Sequence, residues 1–400
     1  MNIVCISASQ VPSVSANSIQ VMKACQALVQ LGHHVRLLVP EMNWRKQPVH
    51  PTQEDLAAFY GLHTSFPVEW VPAERYFKKY DFCRSAVKQA RAYSADLVYV
   101  WPLQAALFAA SHQLPVVIEI HGPPEGNLGP LMFKLFLRLP GKKRLLPITR
   151  ALAGMLSTYS KEWRSALNQE TAHEPCALHI KPNLSLVVSP NGVEVERYYS
   201  LPEPEQARSE LGLPQGFTAG YTGHLYAGRG MGLLVKLAQR FPAVNFIWVG
   251  GREEDVNSWR TRLKADGLNN ITLTGFIENN RLPRYQAAAD VLLMPYEQTI
   301  AGSSGGNSAS YASPMKMFEY MACGRPILSS NLPVISEVLN ESNALLLPPD
   351  DPEAWSSALQ TCLDSPEKCT ALARKALQDV QQYTWIERAR RALDGFLVED

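Results

Sequence analysis

NIVCISASQVPSVSANSIQVMKACQALVQLGHHVRLLVP, residues 2–40, decides the fold class. It starts with NIVCI, an apolar run of the length of a buried strand, followed by a polar loop, SASQVPSVSANS. IQVMKACQALVQLGHHV then places apolar residues at helical spacing and stops at Gly32, where a residue tolerant of left-handed backbone is favoured after a helix. HVRLLVP is a second strand. Strand, loop, helix and strand in that order make a βαβ unit, whose strands run parallel in one sheet.

The alternation continues outward. ADLVYVW (95–101), PVVIEIHG (115–122), MLSTYS (155–160) and SLVVSPNGV (185–193) read as further strands of this first set. ERYYSLPEPEQARSELGLP (196–214), rich in Pro and Glu, reads as an interdomain linker. A second set of short strands follows: FTAGYTGHL (217–225), NFIWVGG (245–251), ITLTGF (271–276), ADVLLMP (289–295), PILSSN (326–331) and NALLLPPD (343–350). The tail, 351–400, reads as helices with charged faces. The 400 residues exceed the roughly 250–300 at which one core stops growing, so two α/β domains are expected.

With 46% hydrophobic and 19% charged residues, the chain has the composition of an ordinary soluble protein. Its net charge of +1 argues against nucleic acid as a partner. The cysteines (Cys5, Cys25, Cys83, Cys176, Cys323, Cys362, Cys369) are odd in number and scattered, with no CxxC pair. Neither a disulfide framework nor a zinc ribbon is suggested, and a reducing, cytoplasmic setting is expected. MNIVCISASQ lacks the layout of a signal peptide, and no run of about 18 apolar residues marks a membrane span.

SPMKMFEYMACGRP (313–326) is the first candidate site. Ser313 suits an N-cap and Pro314 the first helical position, which leaves the amides of Met315 and Lys316 without intrahelical partners. Such a helix start binds anions, and Lys316 adds a full charge. The small residues of AGSSGGNSAS (301–310), just before it, let a ligand approach the backbone. Glu319 lies roughly 7.5 Å along the axis from Pro314, about the distance from a nucleotide's diphosphate to its ribose hydroxyls. A carboxylate is an acceptor suited to two vicinal hydroxyls. The alternative is a capped helix whose Glu319 pairs with Lys316. GYTGHLYAGRGMGLL (220–234) follows a strand and opens a helix. Gly223 and Gly228 fit the spacing of a P-loop, but Arg229 and Gly230 replace its Lys and Ser/Thr. The segment still offers a flexible turn, a helix start and a guanidinium that can grip phosphate oxygens. The alternative is an ordinary turn with a surface arginine.

His121 ends a strand, where ligands bind in open α/β sheets, and it could donate to a substrate or a developing charge. A structural histidine is the alternative. From Gly126 to Lys161 inclusive there are seven Lys or Arg and no acid. The window 131–150 within it, opening with LMFKLFLRLPGKKRLLP, reads either as a site for peripheral contact with a membrane or as a core helix with a basic rim.

Taken together, these motifs resemble the family-4 retaining glycosyltransferases of GT-B fold, also called group 1 glycosyl transferases. SPNGVEVERY (189–198), ITLTGF, YQAAADVLLMPY, MFEYMACGRPIL and ISEVL occur in the family's order and spacing. The resemblance implies two Rossmann-like doubly wound parallel-sheet domains facing across a cleft. Residues 1–195 would bind the acceptor and 215–375 the donor, joined by 196–214, with a C-terminal helix within 376–400 packing back on the first domain. It implies that Glu319 holds the donor ribose, and that Arg229 with the amides of Met315 and Lys316 binds the diphosphate. Gly275, Phe276 and Ile277 fall where the base packs. Gly223, His224, Gly228, Gly250, Ser313 and Pro314 complete the donor site, and His121 faces the acceptor or the leaving group. The chain departs from the family at three points. Tyr311 replaces a Glu that usually touches the donor sugar, His224 replaces an Arg, and no glycine precedes Gly32.

The implied reaction moves a sugar from a nucleoside diphosphate to a glycan or lipid-linked acceptor, with retention, in cell-surface polysaccharide or glycolipid synthesis. His121, Arg229 and Lys316 are its candidate catalytic groups. The nucleotide sugar is a co-substrate, and no cofactor or metal is expected. A sugar-nucleotide epimerase or hydrolase, or a non-catalytic binding protein of the same fold, is the alternative. A dinucleotide oxidoreductase fits less well, because its glycine fingerprint should follow the first strand.

Overall fold

The computed structural model describes residues 1–42, 49–77, 79–169, 177–300 and 307–397. It divides into two compact units, one of Met1–Asn191 with Trp385–Asp400 and one of Gly192–Thr384. Cys176 and residues 301–306 of the Gly/Ser loop lie outside the described residues.

The first unit runs β1 (Asn2–Ile6), α1 (Ala16–Gln30), β2 (His34–Glu41), α2 (Gln53–Tyr60), β3 (Val68–Pro72), α3 (Tyr80–Ala92), β4 (Leu97–Val100), α4 (Leu103–Ser111), β5 (Val116–Ile120), α5 (Gly129–Arg138), β6 (Lys143–Pro147), α6 (Arg150–Leu156), α7 (Lys161–Gln169), β7 (Leu178–Lys181) and β8 (Leu184–Leu186). The sheet order is β3-β2-β1-β4-β5-β6-β8-β7, parallel except for the β7–β8 pair. The opening segment does form its βαβ unit: Asn2 pairs with His34 in parallel register, and the Ser15 side chain caps α1 by accepting from the Ser18 amide. MLSTYS, expected as a strand, is the end of α6 and a short 3-10 turn. Thr149 decides this, since its hydroxyl accepts from the Leu152 amide at 3.1 Å and starts a helix there.

The second unit runs α8 (Pro204–Leu211), β9 (Thr218–Thr222), α9 (Met231–Arg240), β10 (Asn245–Val249), α10 (Glu253–Ala265), β11 (Ile271–Gly275), α11 (Leu282–Ala287), β12 (Val291–Met294), α12 (Met315–Cys323), β13 (Ile327–Ser330), β14 (Leu345–Leu347), α13 (Pro352–Asp364) and α14 (Pro366–Asp379). The sheet order is β11-β10-β9-β12-β13-β14, all parallel. Trp248, Leu234, Leu293 and Trp355 are buried in a core that spans the sheet and its helices. Burying each such side chain is worth about 1.5–3 kcal/mol. Strand order reverses between β9 and β12, so the carboxyl ends of these strands border the crevice where open α/β sheets take ligands.

Two expected boundaries move. Residues 196–214 are not a linker: α8 lies within this span and packs Ala207 against Ile247, Ala287 and Ala288. The buried Arg208 of α8 also pairs with Asp290 at 2.9 Å. At the other end, α14 remains in the second unit, and only the chain from Trp385 joins the first. There α15 (Trp385–Leu393) packs against α1. Arg144 of β6 caps it, donating to the carbonyls of Ala392 at 3.1 Å and Asp394 at 2.6 Å. These are the orphan acceptors that any helix end leaves.

The basic window 131–150 is therefore not one amphipathic stretch. Lys143 and Arg144 are strand residues, buried and engaged by backbone carbonyls, while Lys134 and Arg138 remain exposed on α5. Among the described residues no helix is long and apolar enough to cross a membrane.

Candidate functional site

At the end of β9 the backbone turns through Gly223 at φ 134°, a region side-chain-bearing residues avoid. A Cβ there would lie 2.7 Å from the Lys316 Nζ, so the glycine leaves room for a cation to reach the strand end. Farther along the same loop, a Cβ on Gly230 would meet the Pro295 carbonyl at 1.8 Å. The loop thus lies directly on the end of β12, bringing Arg229 to the same crevice.

Arg229 and Lys316 meet around aromatic rings. The guanidinium sits over Tyr226 and Tyr296, 4.9 and 5.1 Å from the ring centres. The Lys316 ammonium lies 4.0 Å from the centre of Tyr221 and 5.4 Å from that of Tyr296. Arg229 donates to the Tyr226 hydroxyl at 2.8 Å, but its Nε and the Lys316 Nζ are buried and make no hydrogen bond among the described residues. Burial, and then the Arg229 charge, push the Lys316 ammonium well below the usual lysine range, which Glu319 partly opposes. His224, stacked on Tyr226, is pushed down by burial and then by Arg229 and Lys316. Its Nδ1 is also buried without a partner among the described residues. Two cations and a histidine therefore hold unused donor or acceptor capacity in one place.

Glu319, on the second turn of α12, is braced from behind. The fully buried Gln286 of α11 donates through Nε2 to its Oε2 at 3.2 Å, and the Gln286 side-chain Oε1 accepts from the Tyr198 hydroxyl at 2.9 Å. Beside it the Tyr320 hydroxyl accepts from the Thr222 amide at 2.8 Å, tying α12 to the end of β9. The helix starts one residue later than its sequence suggests. Pro314, with ψ 127°, is the N-cap, so Met315 and Lys316 take the first two helical positions and Ser313 is not the cap. A residue before proline is biased to extended backbone, which withdraws Ser313 from the helix start. The start of α9 also departs from expectation. The Gly230 amide donates to Glu297 at 3.2 Å, so a carboxylate already stands at that helix end. At the start of α12 the N-cap Pro314 supplies no side-chain cap.

Gly250 and Gly275 bridge the ends of β10 and β11, with the Gly250 amide donating to the Gly275 carbonyl at 2.8 Å. Phe276 follows, and 55% of it is exposed, unusual for a phenylalanine at a sheet edge. Ile277 is half-buried and Gly228 is buried within the loop before α9. Among the described residues no group of three or more His, Cys, Asp or Glu is gathered as a metal site.

His121 belongs to the first unit. Its Nε2 lies 3.3 Å from Oε2 of Glu119, a buried carboxylate on β5. Arg388 of α15 grips both Glu119 oxygens, and the Tyr99 hydroxyl donates to one of them. Arg388 also donates to the carbonyls of Pro190 at 2.8 Å and Ser189 at 3.1 Å. Burial alone would raise the Glu119 carboxyl, but Arg388 and then His121 hold it down at about 2.

Of the sequence-predicted residues, Gly223, His224, Arg229 and Lys316 come together around Tyr221, Tyr226 and Tyr296. Glu319 is electrostatically coupled to Lys316 on the same helix. Tyr296, Gln286, Tyr198, Glu119 and Arg388 were not foreseen. Glu119 left a signal as an acid inside the apolar run VVIEI, while Gln286, Tyr296 and Tyr198 lie in segments quoted for the family resemblance without being assigned a role.

Residues 18–197 match the family model described as Glycosyltransferase Family 4, and residues 216–365 match the one described as Glycosyl transferases group 1. TuaH of Bacillus subtilis, provisionally named a teichuronic acid biosynthesis glycosyltransferase, is 31% identical over 150 residues, 37% of this chain and 35% of that protein. The alpha-galactosylglucosyldiacylglycerol synthase of Streptococcus pneumoniae is 25% identical over 166 residues, 40% of this chain and 41% of that one. The chain thus aligns with less than half the length of these two relatives. The crystal structure of Anabaena HepE in complex with UDP-glucose superposes with a TM-score of 0.67 at 18% identity, over 98% of both chains.

Proposed function

The chain belongs to the family-4, group 1 glycosyltransferases and has their GT-B fold, and from that premise we propose that it moves a sugar from a nucleoside diphosphate to an acceptor with retention at the anomeric carbon. One observation carries the reading: Arg229 Nε and Lys316 Nζ are buried, electrostatically coupled and without a hydrogen-bond partner among the described residues, next to a helix start. Buried cations with unsatisfied donors are costly unless an anion completes them. A diphosphate is an anion of the right size for two cations and a helix N-terminus.

In this reading the leaving diphosphate gains charge in the transition state, and Arg229, Lys316 and the amides of Met315 and Lys316 stabilise it without moving. These groups supply the positive charge, so no metal is proposed. Glu319, held by Gln286, accepts from the ribose hydroxyls. Phe276 offers its exposed ring to the base, with Gly275 and Ile277 beside it, and Gly223, His224, Gly228 and Gly250 line the pyrophosphate. His121 is assigned to the acceptor or the leaving group. The relatives support a role in polysaccharide or glycolipid synthesis, and the HepE complex makes a UDP-sugar the first donor to try. A thermal-shift panel of UDP-, GDP-, ADP- and dTDP-sugars, repeated with Glu319→Ala, tests this. One class should raise the melting point and the variant should lose most of the rise. No response to any of them would refute the proposal.

A second observation favours contact with a bilayer containing anionic lipids. Leu128, Leu131 and Leu135 fall at i, i+3 and i+7 on α5 and at its start, and are 61, 64 and 48% exposed. Lys134 and Arg138 flank this stripe. The Tyr80 hydroxyl reaches Sδ of Met132, on the same helix as the stripe, at 3.3 Å. Apolar side chains ringed by basic ones fit an interfacial helix, and a lipid-linked acceptor would be met there.

A further inference from the structure

We propose that Glu119, clamped by Arg388 from the C-terminal helix, is a positioning residue that fixes His121 with its proton on Nε2 and turns Nδ1 toward the reaction. The inference rests on the reading that His121 acts in catalysis. Glu119 is buried, and Arg388 grips both of its oxygens, so the carboxyl stays ionised and can only accept. The His121 Nε2, 3.3 Å from Oε2, must therefore carry the hydrogen. Nδ1 makes no hydrogen bond among the described residues, and the ring is partly exposed. In the neutral ring Nδ1 is then a lone pair that can take a proton from an acceptor hydroxyl. In the charged ring it is a donor that can face a developing oxyanion.

The groups facing Glu119 come from several elements. Arg388 lies on α15 and Tyr99 on β4, and the thiols of Cys5 on β1 and Cys25 on α1 are close enough to be coupled to this cluster. Only Arg388 is a fixed cation among them. A histidine held by a buried acid, which is itself held by an arginine almost 270 residues away in sequence, is over-built for a packing role. Tyr99 and two backbone carbonyls already satisfy the interior without it.

The test is nitrogen-15 NMR of the full chain labelled at histidine, with His121 identified by its loss in His121→Gln. The wild type should show the Nε2–H form. In the double variant E119M/R388M, which removes both charges together, the preference for that form should disappear. Turnover should then fall about tenfold to hundredfold, the range expected for loss of one charged hydrogen bond, with the donor KM unchanged. R388K, which keeps a cation against Glu119, should retain the tautomer. A wild-type ring protonated on Nδ1 overturns the proposal whether or not the double variant folds, and so does a double variant that keeps the Nε2–H form. If His121→Gln leaves turnover intact while the wild-type tautomer is as stated, the catalytic reading of His121 is what fails.

Discussion

Replacing Lys316 with methionine should strengthen the free protein and weaken its hold on a nucleoside diphosphate. Methionine keeps most of the lysine stem. What is lost is an ammonium group buried without an acceptor among the described residues and repelled by Arg229. A buried donor left unsatisfied costs about 1–3 kcal/mol. The Tyr221 ring, 4.0 Å away, offsets ~0.5–2 kcal/mol of that. The variant should therefore gain ~1 kcal/mol, or a melting point about 2–4 °C higher in a unit of this size. The pH dependence follows from the depressed lysine. The unfolded chain binds this proton more tightly than the folded one, so wild-type stability climbs with pH through the window between the depressed value and the ordinary 10.5. The advantage of the variant should be greatest below that window and close toward its top. With a nucleoside diphosphate present the sign reverses, because the lost charged hydrogen bonds are worth about 1.5–3 kcal/mol, or about tenfold to hundredfold in Kd. Melting curves with and without ligand from pH 7 to 10 measure both effects. A lower melting point in the free variant together with an undiminished ligand shift would falsify the assignment of Lys316 to the diphosphate.

Phe276→Ala should weaken a nucleoside diphosphate by the ~1–3 kcal/mol of one stacked base and leave inorganic pyrophosphate binding unchanged. Equal losses for both in calorimetry would remove Phe276 from the base site. Leu131→Glu with Leu135→Glu should abolish co-sedimentation with vesicles containing phosphatidylglycerol, without loss of thermal stability since both side chains face solvent. Undiminished sedimentation would dismiss α5 as the contact. The Glu119 carboxyl, held at about 2 against an ordinary 4.5, contributes stability that is complete above 4.5 and disappears as pH falls toward 2. The shift corresponds to about 3 kcal/mol at most. Urea midpoints at pH 7 and pH 3 should therefore converge in E119M/R388M relative to wild type, and an identical pH dependence in the two proteins would contradict the pairing.

The fold was legible because parallel sheets are built from βαβ units, and the first 40 residues spell one out in apolar periodicity. Strand ends were legible too, since glycine and polar residues mark them, which is why Gly223 and His121 could be located, whereas Phe276 was placed by the family resemblance alone. What failed was local. MLSTYS has the composition of a strand, but Thr149 caps a helix that runs into it. The segment around α8 has the Pro and Glu content of a linker, yet Ala207 and Arg208 are enough to dock it. The site divides in the same way. Lys316 and Glu319 share one helix, so their spacing showed in the chain. Tyr296 and Gln286 come from elements distant in sequence, and only folding brings them to the cations. Glu297 was concealed for the same reason: nothing near Gly230 reveals that an acid 67 residues later closes the start of α9.

The path of the chain sets an order on its synthesis. The sheet of the first unit is built from residues before Asn191, but the arginine that neutralises Glu119 and the carbonyls that engage Arg144 arrive only after the whole second unit has been translated. Until then the nascent first unit holds an uncompensated interior acid and an uncompensated interior cation. A ribosome-bound chain halted after Thr384 should accordingly remain sensitive to protease in β5 and β6, and become resistant once the last turns of helix emerge.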